Sequence, residues 1–539
     1  MKSFDCSADP NQFNLRQRLD WHGYVGAALI YSFSRNCGLW LGIAIVFALY
    51  FSTPAIAIPS FARQTGQPCG TCHTVFPELT PYGRRFKLGG YTTGGGQFKT
   101  SLFGSPFDSP DNSKSSSDKL RSYAKAIDPS YYNDSNDKPW VPPVSAMAVI
   151  GLTHTQAPLD TIIGPPPAYD PYKSNNNVIV APYSFFWGGA ITSDVGAFIQ
   201  VTHSPPPAGG FGSDPFGHEW NWDNTDVRFV RSGVIGGVPF IFGITANNSP
   251  TVQDVWNTTP AWSYSANVAS TLAPTPGSKT LLEGAFAAHV GGVGVYTFIN
   301  DMLYLEASGY QTLGFRQQNS VGIDPFGAPG LIAGTAPYWR VAFEPHWGSH
   351  SLMVGTFGMI ANVRPWIDQG FASGTNITDA FPQSDRFTDI GFDTQYQYQG
   401  PNWWLTLHGT YIRETQKLDA TFNILGGSAN PTNELNRLIL NGQLVFGSDN
   451  KIALTAQYSQ TRGTPDAILY GGNASGFSPN SDAWLAEISY MPFGSSKSPI
   501  WPWANARIGV QYTAYTKFDG TSLGASDHNT LFLYAWMAM

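Results

Sequence analysis

The sequence predicts an all-β protein, an outer-membrane β-barrel of about 16 antiparallel strands with a small N-terminal lobe of helices and loops. Charged residues make up only 12% of the 539-residue chain, against roughly 25% in soluble domains. Mean hydropathy is −0.16, too polar for a bundle of membrane helices, which need about 20 consecutive apolar residues per span. Strands that alternate lipid-facing apolar and lumen-facing polar side chains reconcile the two observations.

Residues 143–539 repeat one pattern: a run of about ten alternating residues, a short turn, a second run, then a longer polar loop. In one run, Ile452 and Leu454 share a face opposite Lys451 and Thr455. A soluble β-propeller would show a repeat of about 40–50 residues, and the sequence has no such repeat. The runs are expected to begin near residues 143, 178, 193, 224, 237, 281, 302, 337, 350, 386, 402, 434, 450, 481, 503 and 528.

The connections tend to alternate in length, which predicts short periplasmic turns and long extracellular loops. The segments 204–223 and 248–279 are expected to be two of the long polar loops outside. An even number of strands, with the long loops after the odd ones, places both termini of the barrel in the periplasm.

The N-terminal segment has the pattern of an export signal. An apolar run at 37–51 follows Arg35 and ends near Ala55 and Ala57, small residues at the positions of a cleavage site. Residues 1–57 are therefore predicted to be a signal peptide, and an uncleaved anchor is the alternative. The net charge of −7 and the lack of a long basic run argue against a nucleic-acid partner.

Cys69, Cys72 and His73 form a CxxCH motif just after this signal, and the other two cysteines fall within it. The spacing fits a redox dithiol, half of a zinc site or covalent haem attachment. No second cysteine pair completes a structural zinc site, and no βαβ pattern surrounds the motif. A disulfide across two residues would stabilise little. The motif thus predicts one covalent haem c, with His73 as the proximal iron ligand.

A short helix is predicted after the motif, with Thr80 as its N-cap and Gly89 beyond its end. It carries Arg84, Arg85 and Lys87, which either pair with haem propionates or form a solvated face.

The sequence divides into a signal at 1–57, a monohaem cytochrome c lobe at 58–91, a linker at 92–142 and the barrel at 143–539. The linker is rich in Ser, Asp, Asn and Pro without apolar periodicity. The lobe is too small to bury a core by itself, so we expect it to need a neighbour.

The run PSFARQTGQPCGTCHTVFPELTPYGRRFKLGGY at 59–91, followed by a long barrel, resembles the fused monohaem cytochrome–porin family of outer-membrane iron oxidases. The likeness is dense over this run; over the barrel it lies in the architecture and in the final NTLFLYAWMAM. It implies a haem at or inside the barrel mouth that takes electrons from extracellular Fe(II) and passes them to a periplasmic carrier, a soluble cytochrome or copper protein.

A single haem that serves both sides of an apolar band about 25 Å tall must lie part-way across it, so the lobe is predicted to plug the lumen. Two alternatives stay open: a passive porin with a haem-bearing plug, and a conduit or sensor for a different extracellular donor or acceptor.

The sixth iron ligand is expected from the barrel, because no His or Met lies between His73 and Met147. Met147 falls on the lumen side of its strand and is preferred over His154, which falls on the other side. Methionine ligation would also raise the haem potential. His408 and His289 face inward as well and are alternatives, as are an open iron position and a lobe lysine.

Overall fold

The structure is a computed structural model that describes residues 59–92, 143–159, 174–203, 220–262, 268–365, 383–447, 450–471, 477–493 and 498–539. The predicted signal at 1–57 and the predicted linker from residue 93 onward lie outside the described residues. Within the described part of the chain, no helix is long and apolar enough to cross a membrane.

Sixteen strands in the described ranges form a closed antiparallel barrel. Each pairs with the next along the chain, and the first pairs with the last from Met147 opposite Ala538 to Thr155 opposite Thr530. Two short strands, Gly330–Ile332 and His346–Trp347, add to this wall. The barrel strands are β1 Val144–Thr155, β2 Asn176–Ala190, β3 Val195–His203, β4 Trp220–Ile235, β5 Val238–Asn247, β6 Val290–Ile299, β7 Leu303–Thr312, β8 Ala336–Phe343, β9 His350–Pro365, β10 Asp385–Gln399, β11 Trp403–Lys417, β12 Thr432–Phe446, β13 Ile452–Gly463, β14 Ser481–Tyr490, β15 Asn505–Lys517 and β16 Thr530–Ala538.

The predicted number of strands is confirmed, and all but one of the predicted starts lie within about four residues of an observed start. The expected start at residue 281 is wrong, because β6 begins at Val290. Residues 281–289 form turns inside the barrel, where Leu281 and Phe286 pack in the apolar core. Their apolar character comes from this packing and not from a lipid-facing strand.

The barrel wall is apolar outside and polar inside. Val178, Phe392 and Trp484 are 67%, 58% and 56% exposed on the outer surface, whereas Asp393 and Gln395 are buried. Successive side chains of a strand point to opposite faces, so the alternation in the sequence produces this two-sided wall directly.

The lobe lies in the lumen, at the barrel end that carries the short turns, which we call the short-turn end. Its helices are α1 Pro59–Thr65, α2 Cys69–Cys72 and α3 Pro81–Leu88. Gln64 Nε2 donates to the Gly188 carbonyl (2.9 Å), Tyr296 Oη to the Leu88 carbonyl (2.6 Å) and Arg507 Nη1 to the Phe76 carbonyl (3.1 Å). Because β2, β6 and β15 lie on different sides of the barrel, the predicted plug is confirmed.

The connection between β5 and β6, described at 248–262 and 268–289, is a second filler of the lumen. Trp256 is fully buried and its Nε1 donates to Glu344 (2.8 Å), and Asp254 lies 3.4 Å from Arg340. The expectation of a polar loop outside the barrel is therefore wrong for this segment. We call it the internal loop. Elsewhere, a short helix α4 spans Phe315–Ser320.

Candidate functional site: a chamber between the lobe and the barrel wall

A cavity of about 270 Å³ lies between the lobe and the wall at the short-turn end. It is lined mainly by aromatic and aliphatic side chains, with few polar groups. We call it the haem chamber, after the cofactor that the sequence predicts. The lining includes Phe61, Cys69, Cys72, His73, Phe76, Phe86, Lys87, Met147, Phe186, Phe198, Gln200, Trp262 and Trp536.

The CxxCH motif forms one tight turn on the chamber. The His73 amide donates to the Cys69 carbonyl (2.9 Å) and closes the single turn of α2. The two thiols are not bonded to each other and both line the chamber. Helix α3 packs closely against this turn: a Cβ at Gly83 would lie 2.2 Å from the Cys72 carbonyl oxygen, so only glycine fits there.

The α3 helix begins as the sequence predicts. Thr80 is its N-cap and accepts a hydrogen bond from the Gly83 amide (3.1 Å), while Pro81 occupies the first turn. The Thr80 hydroxyl also donates to the Thr71 carbonyl (2.6 Å). The cap thus fixes α3 against the CxxCH turn as well as starting the helix.

Burial sets the protonation of the three motif side chains. It raises the pKa of Cys69 to about 11, with Asn505 opposing the shift, and the pKa of Cys72 to about 12. Burial also lowers the pKa of His73 to about 4, although the nearby backbone of Glu78 and Pro77 opposes this. The His73 imidazole is therefore neutral at neutral pH, the form that binds a metal.

His73 Nδ1 is buried and has no hydrogen-bond partner of good geometry among the described residues. Such an orphaned buried nitrogen needs an explanation. A bond from the other ring nitrogen to iron would fix the tautomer and direct an Nδ1 proton towards the nearby backbone.

Met147 from β1 lines the same chamber as His73. Its Sδ accepts a hydrogen bond from Trp536 Nε1 (3.2 Å), across the seam between β1 and β16. The ring of Trp536 in turn packs on Phe76 of the lobe, with centroids 4.6 Å apart. Met147 thus lies on the lumen side, as predicted, and lines the same cavity as the CxxCH turn.

Of the three predicted cations, the structure brings only Lys87 to the chamber. Its Nζ donates to the carbonyls of Val252 (2.7 Å) and Asp254 (2.8 Å) and lies 4.1 Å from the centre of the Trp262 ring. Burial and the nearby Arg228 lower the pKa of Lys87 to about 7, against the opposing effect of the surrounding carboxylates.

Arg84 and Arg85 point away from the chamber lining and are engaged by acidic groups near the short turns. Arg84 pairs with Glu344 in a fully buried contact, and Arg85 pairs with Asp301. These partners lie hundreds of residues away along the chain, so the sequence could not separate the role of these arginines from that of Lys87.

The three other histidines considered do not line the chamber. His408 lies 3.4 Å from Glu78 beneath the lobe, and His289 Nδ1 lies 2.8 Å from Gln318 Oε1 near α4. His154 Nδ1 lies 2.8 Å from Asn176 Oδ1. Of the ligand candidates predicted from the barrel, only Met147 lines the chamber.

The chamber residues fit a covalently attached haem. Two thiols, a neutral imidazole and a thioether converge on an apolar space, the donor set that c-type haem uses. Phe186, Phe198 and Trp262 also line the chamber, and the sequence does not predict this. Their only sequence signal is inward parity or an aromatic residue in a loop, and many other residues share it.

No protein-family model and no curated protein matches this chain. Among solved structures, the chain is similar to OmpTdeltaL8, a loop-deletion mutant of an outer-membrane protein of Vibrio cholerae, with 12% identity and a TM-score of 0.37, over 74% of this chain and 98% of that one. It is similar to Pseudomonas putida OprB (10%, TM-score 0.40, 73% and 92%) and to Salmonella typhi OmpF in complex with daunomycin (12%, TM-score 0.38, 74% and 97%). These similarities concern the barrel architecture only.

Proposed function

We propose that this chain is an outer-membrane electron conduit that oxidises extracellular Fe(II) and passes electrons, through one covalent haem c, to a periplasmic carrier. One observation carries the proposal: the CxxCH turn and Met147 face the same apolar chamber inside a barrel. The resemblance of the lobe to monohaem cytochrome–porin fusions favours Fe(II) as donor.

A haem c in the chamber would supply a one-electron Fe(III)/Fe(II) couple. Cys69 and Cys72 would hold it by thioether bonds, and His73 and Met147 would ligate the iron. Met147 would raise the potential, which suits a weak reductant such as Fe(II). Lys87 would place an amine at the chamber edge that is positively charged below about pH 7, and the aromatic walls would exclude water.

The outer membrane is the proposed location. The apolar outer surface and the polar interior are the two faces of a lipid-embedded barrel, and the strands are long enough for an apolar band of about 25 Å. With the short turns in the periplasm, the chamber would open towards the periplasmic carrier and the long loops towards the donor.

A passive porin is the second candidate, because the barrel itself has a porin architecture. The filled lumen counts against it: the lobe occupies the short-turn end and the internal loop crosses the middle. A conduit for another extracellular donor or acceptor would use the same chamber and differs only in its redox partner.

Stopped-flow absorption of the purified protein mixed with Fe(II) at several pH values tests the donor. We expect the haem bands to shift to the reduced form. Absence of reduction at every pH would remove Fe(II) as donor and leave the other conduit. Peroxidase staining after denaturing electrophoresis tests the haem separately: the wild type should stain, and Cys69→Ala/Cys72→Ala should not.

A further inference from the structure

A second cavity, of about 220 Å³, lies in the lumen and shares the strand β16 with the haem chamber. It is enclosed by the internal loop and by strands β12 to β16, and exposed residues Thr275 and Lys279 line it. At roughly 30 Å³ per water molecule, it has room for about seven water molecules. We call it the outer vestibule. Its lining combines apolar surface with hydroxyl and amide side chains that face the cavity, including Ser270, Gln457, Ser459, Thr461, Gln511 and Thr513.

The outer vestibule and the haem chamber are both lined by aromatic residues of β16. Phe532 lines the vestibule and Trp536 lines the chamber, and both lie on the inner face of β16. Four residues along a strand span roughly 13 Å. Tyr534 lies between them, with its ring 5.3 Å from that of Phe532. Phe532, Tyr534 and Trp536 therefore form an aromatic layer along β16 that runs from the vestibule to the chamber.

This layer lies flat against the wall because glycines leave room for it. A Cβ at Gly151 would lie 2.3 Å from the Phe532 ring, and a Cβ at Gly509 would lie 2.5 Å from the Tyr534 ring. Val149 and Val268 complete the same buried cluster. The layer is thus closely packed, which favours the passage of electrons over the passage of ions.

The chemistry of the outer vestibule suits a hydrated ion and not a directly ligated one. Its carboxylates are already paired, Glu283 with Arg437 (2.9 Å) and Asp482 with Arg462 (2.7 Å). Nowhere in the described ranges do three or more His, Cys, Asp or Glu side chains form a potential metal site. Hydroxyls and amides can instead hydrogen-bond to the water shell of a cation.

We infer that the outer vestibule receives a small hydrated divalent cation, Fe(II), as electron donor, and that the electron crosses the Phe532–Trp536 layer to the haem chamber. This inference rests on the proposed function. Fe(II) would lose one electron and become Fe(III), and the Fe(III) of a haem c attached in the chamber, as proposed above, would gain it and become Fe(II). No bond to the cation forms or breaks, and no proton needs to move.

Filling the outer vestibule tests the inference. Ser459→Trp places a large ring in the vestibule, whereas Ala456→Trp places the same ring on the exposed outer face of the same strand. We expect Ser459→Trp to slow haem reduction by hydrated Fe(II) at least tenfold, with an unchanged haem spectrum and midpoint potential. The haem of Ala456→Trp should be reduced by Fe(II) at the wild-type rate. Equal rates in the two variants would overturn the inference.

A labelling experiment gives a readout that does not depend on electron transfer. Cys69 and Cys72 are the only cysteines after the predicted signal, so a new thiol is a unique label. Ser459→Cys should react with a membrane-impermeant maleimide added to intact cells. Gln200→Cys, which lines the haem chamber, should not.

The combined outcomes separate this inference from the proposed function. An unreactive Ser459→Cys means that the vestibule is closed to the outside, and the inference fails even if Fe(II) reduces the haem. A reactive Ser459→Cys in a protein that Fe(II) never reduces overturns the Fe(II) function and the donor role of the vestibule, but not its opening.

Discussion

Met147 carries more of the proposed chemistry than any other side chain of the barrel. It lines the chamber opposite the lobe, and the indole of Trp536 holds its sulfur (3.2 Å). A hydrogen bond to the sulfur fixes the orientation of the thioether. Trp536 would thus help to position the sulfur that Met147 is proposed to offer to the iron.

Replacing Met147 by Leu tests the axial ligand. We expect the haem midpoint potential to fall by about 0.1 V or more, since axial ligands tune haem over roughly 0.8 V. Redox titration and absorption spectroscopy of the purified protein measure this. Met353→Leu makes the same change at a fully buried methionine in another cluster and should leave the potential unaltered. A potential equal to the wild type in Met147→Leu would exclude this residue as a ligand.

Gly83→Ala tests the contact between α3 and the CxxCH turn. The added methyl would meet the Cys72 carbonyl, so the turn must shift, at a cost of about 1–3 kcal/mol. We expect less covalent haem per protein, measured by pyridine haemochrome absorbance. Gly277→Ala is the control, because its Cβ would meet nothing closer than Asp519 at 3.8 Å. Full haem content in Gly83→Ala would contradict the expected strain.

The internal loop is the element that sequence reasoning placed wrongly. Its residues 248–259 are polar enough to pass for a solvated loop. They are buried because their partners come from the facing wall: Asp254 meets Arg340, and Thr258 Oγ1 donates to Asp393 (2.5 Å). Such pairings join distant parts of the chain, and no local pattern reports them.

The pH dependence of the internal loop follows from Asp254. Burial alone would raise its pKa, but Arg340 and the Trp256 amide hold it below the usual 3.8. Between the lowered value and 3.8, the unfolded chain binds more protons than the folded one. The stabilisation is therefore fully present above about pH 4 and is lost as the pH falls through the lowered pKa.

Asp254→Asn should accordingly lower the free energy of unfolding by about 3 kcal/mol at pH 7, because it leaves the buried Arg340 less well paired. The loss should shrink at acidic pH, once the pH has fallen through the lowered pKa of Asp254. Thermal unfolding at both pH values measures it, with the exposed Asp419→Asn expected to stay within about 0.5 kcal/mol of the wild type. A destabilisation that does not vary with pH would show that the carboxylate charge is not the cause.

The strands themselves were predictable from the sequence, unlike the internal loop. Alternation depends only on the two-residue period of a strand, so each run fixed its own faces. The chamber was half predictable: the CxxCH motif and the parity of Met147 were visible, but the separation of Lys87 from Arg84 depended on Glu344, 260 residues beyond Arg84.

At the scale of the whole molecule, the barrel is a filled tube. The lobe and the internal loop touch each other directly, since the Leu79 amide donates to Asn257 Oδ1 (3.2 Å) and Lys87 bonds to two loop carbonyls. Polar contacts of both with the wall leave little room for a continuous water path.

We therefore expect the purified protein to show no steady ionic conductance in planar lipid bilayers, whereas an open porin of similar strand number would conduct. Single-channel recording with an open porin in parallel measures this. Stable, porin-sized steps from protein with a full complement of haem would favour the passive porin instead.

The seam between β1 and β16 gives the assembly a built-in order. Met147 and Trp536 stand on opposite sides of that seam, and Ala146 and Met539 exchange hydrogen bonds across it. A sheet that has not yet closed cannot bring sulfur and indole together. If Met147 ligates a haem iron as proposed, its sulfur would reach the iron only after the barrel has closed, and the absorption spectrum of the haem would report that closure.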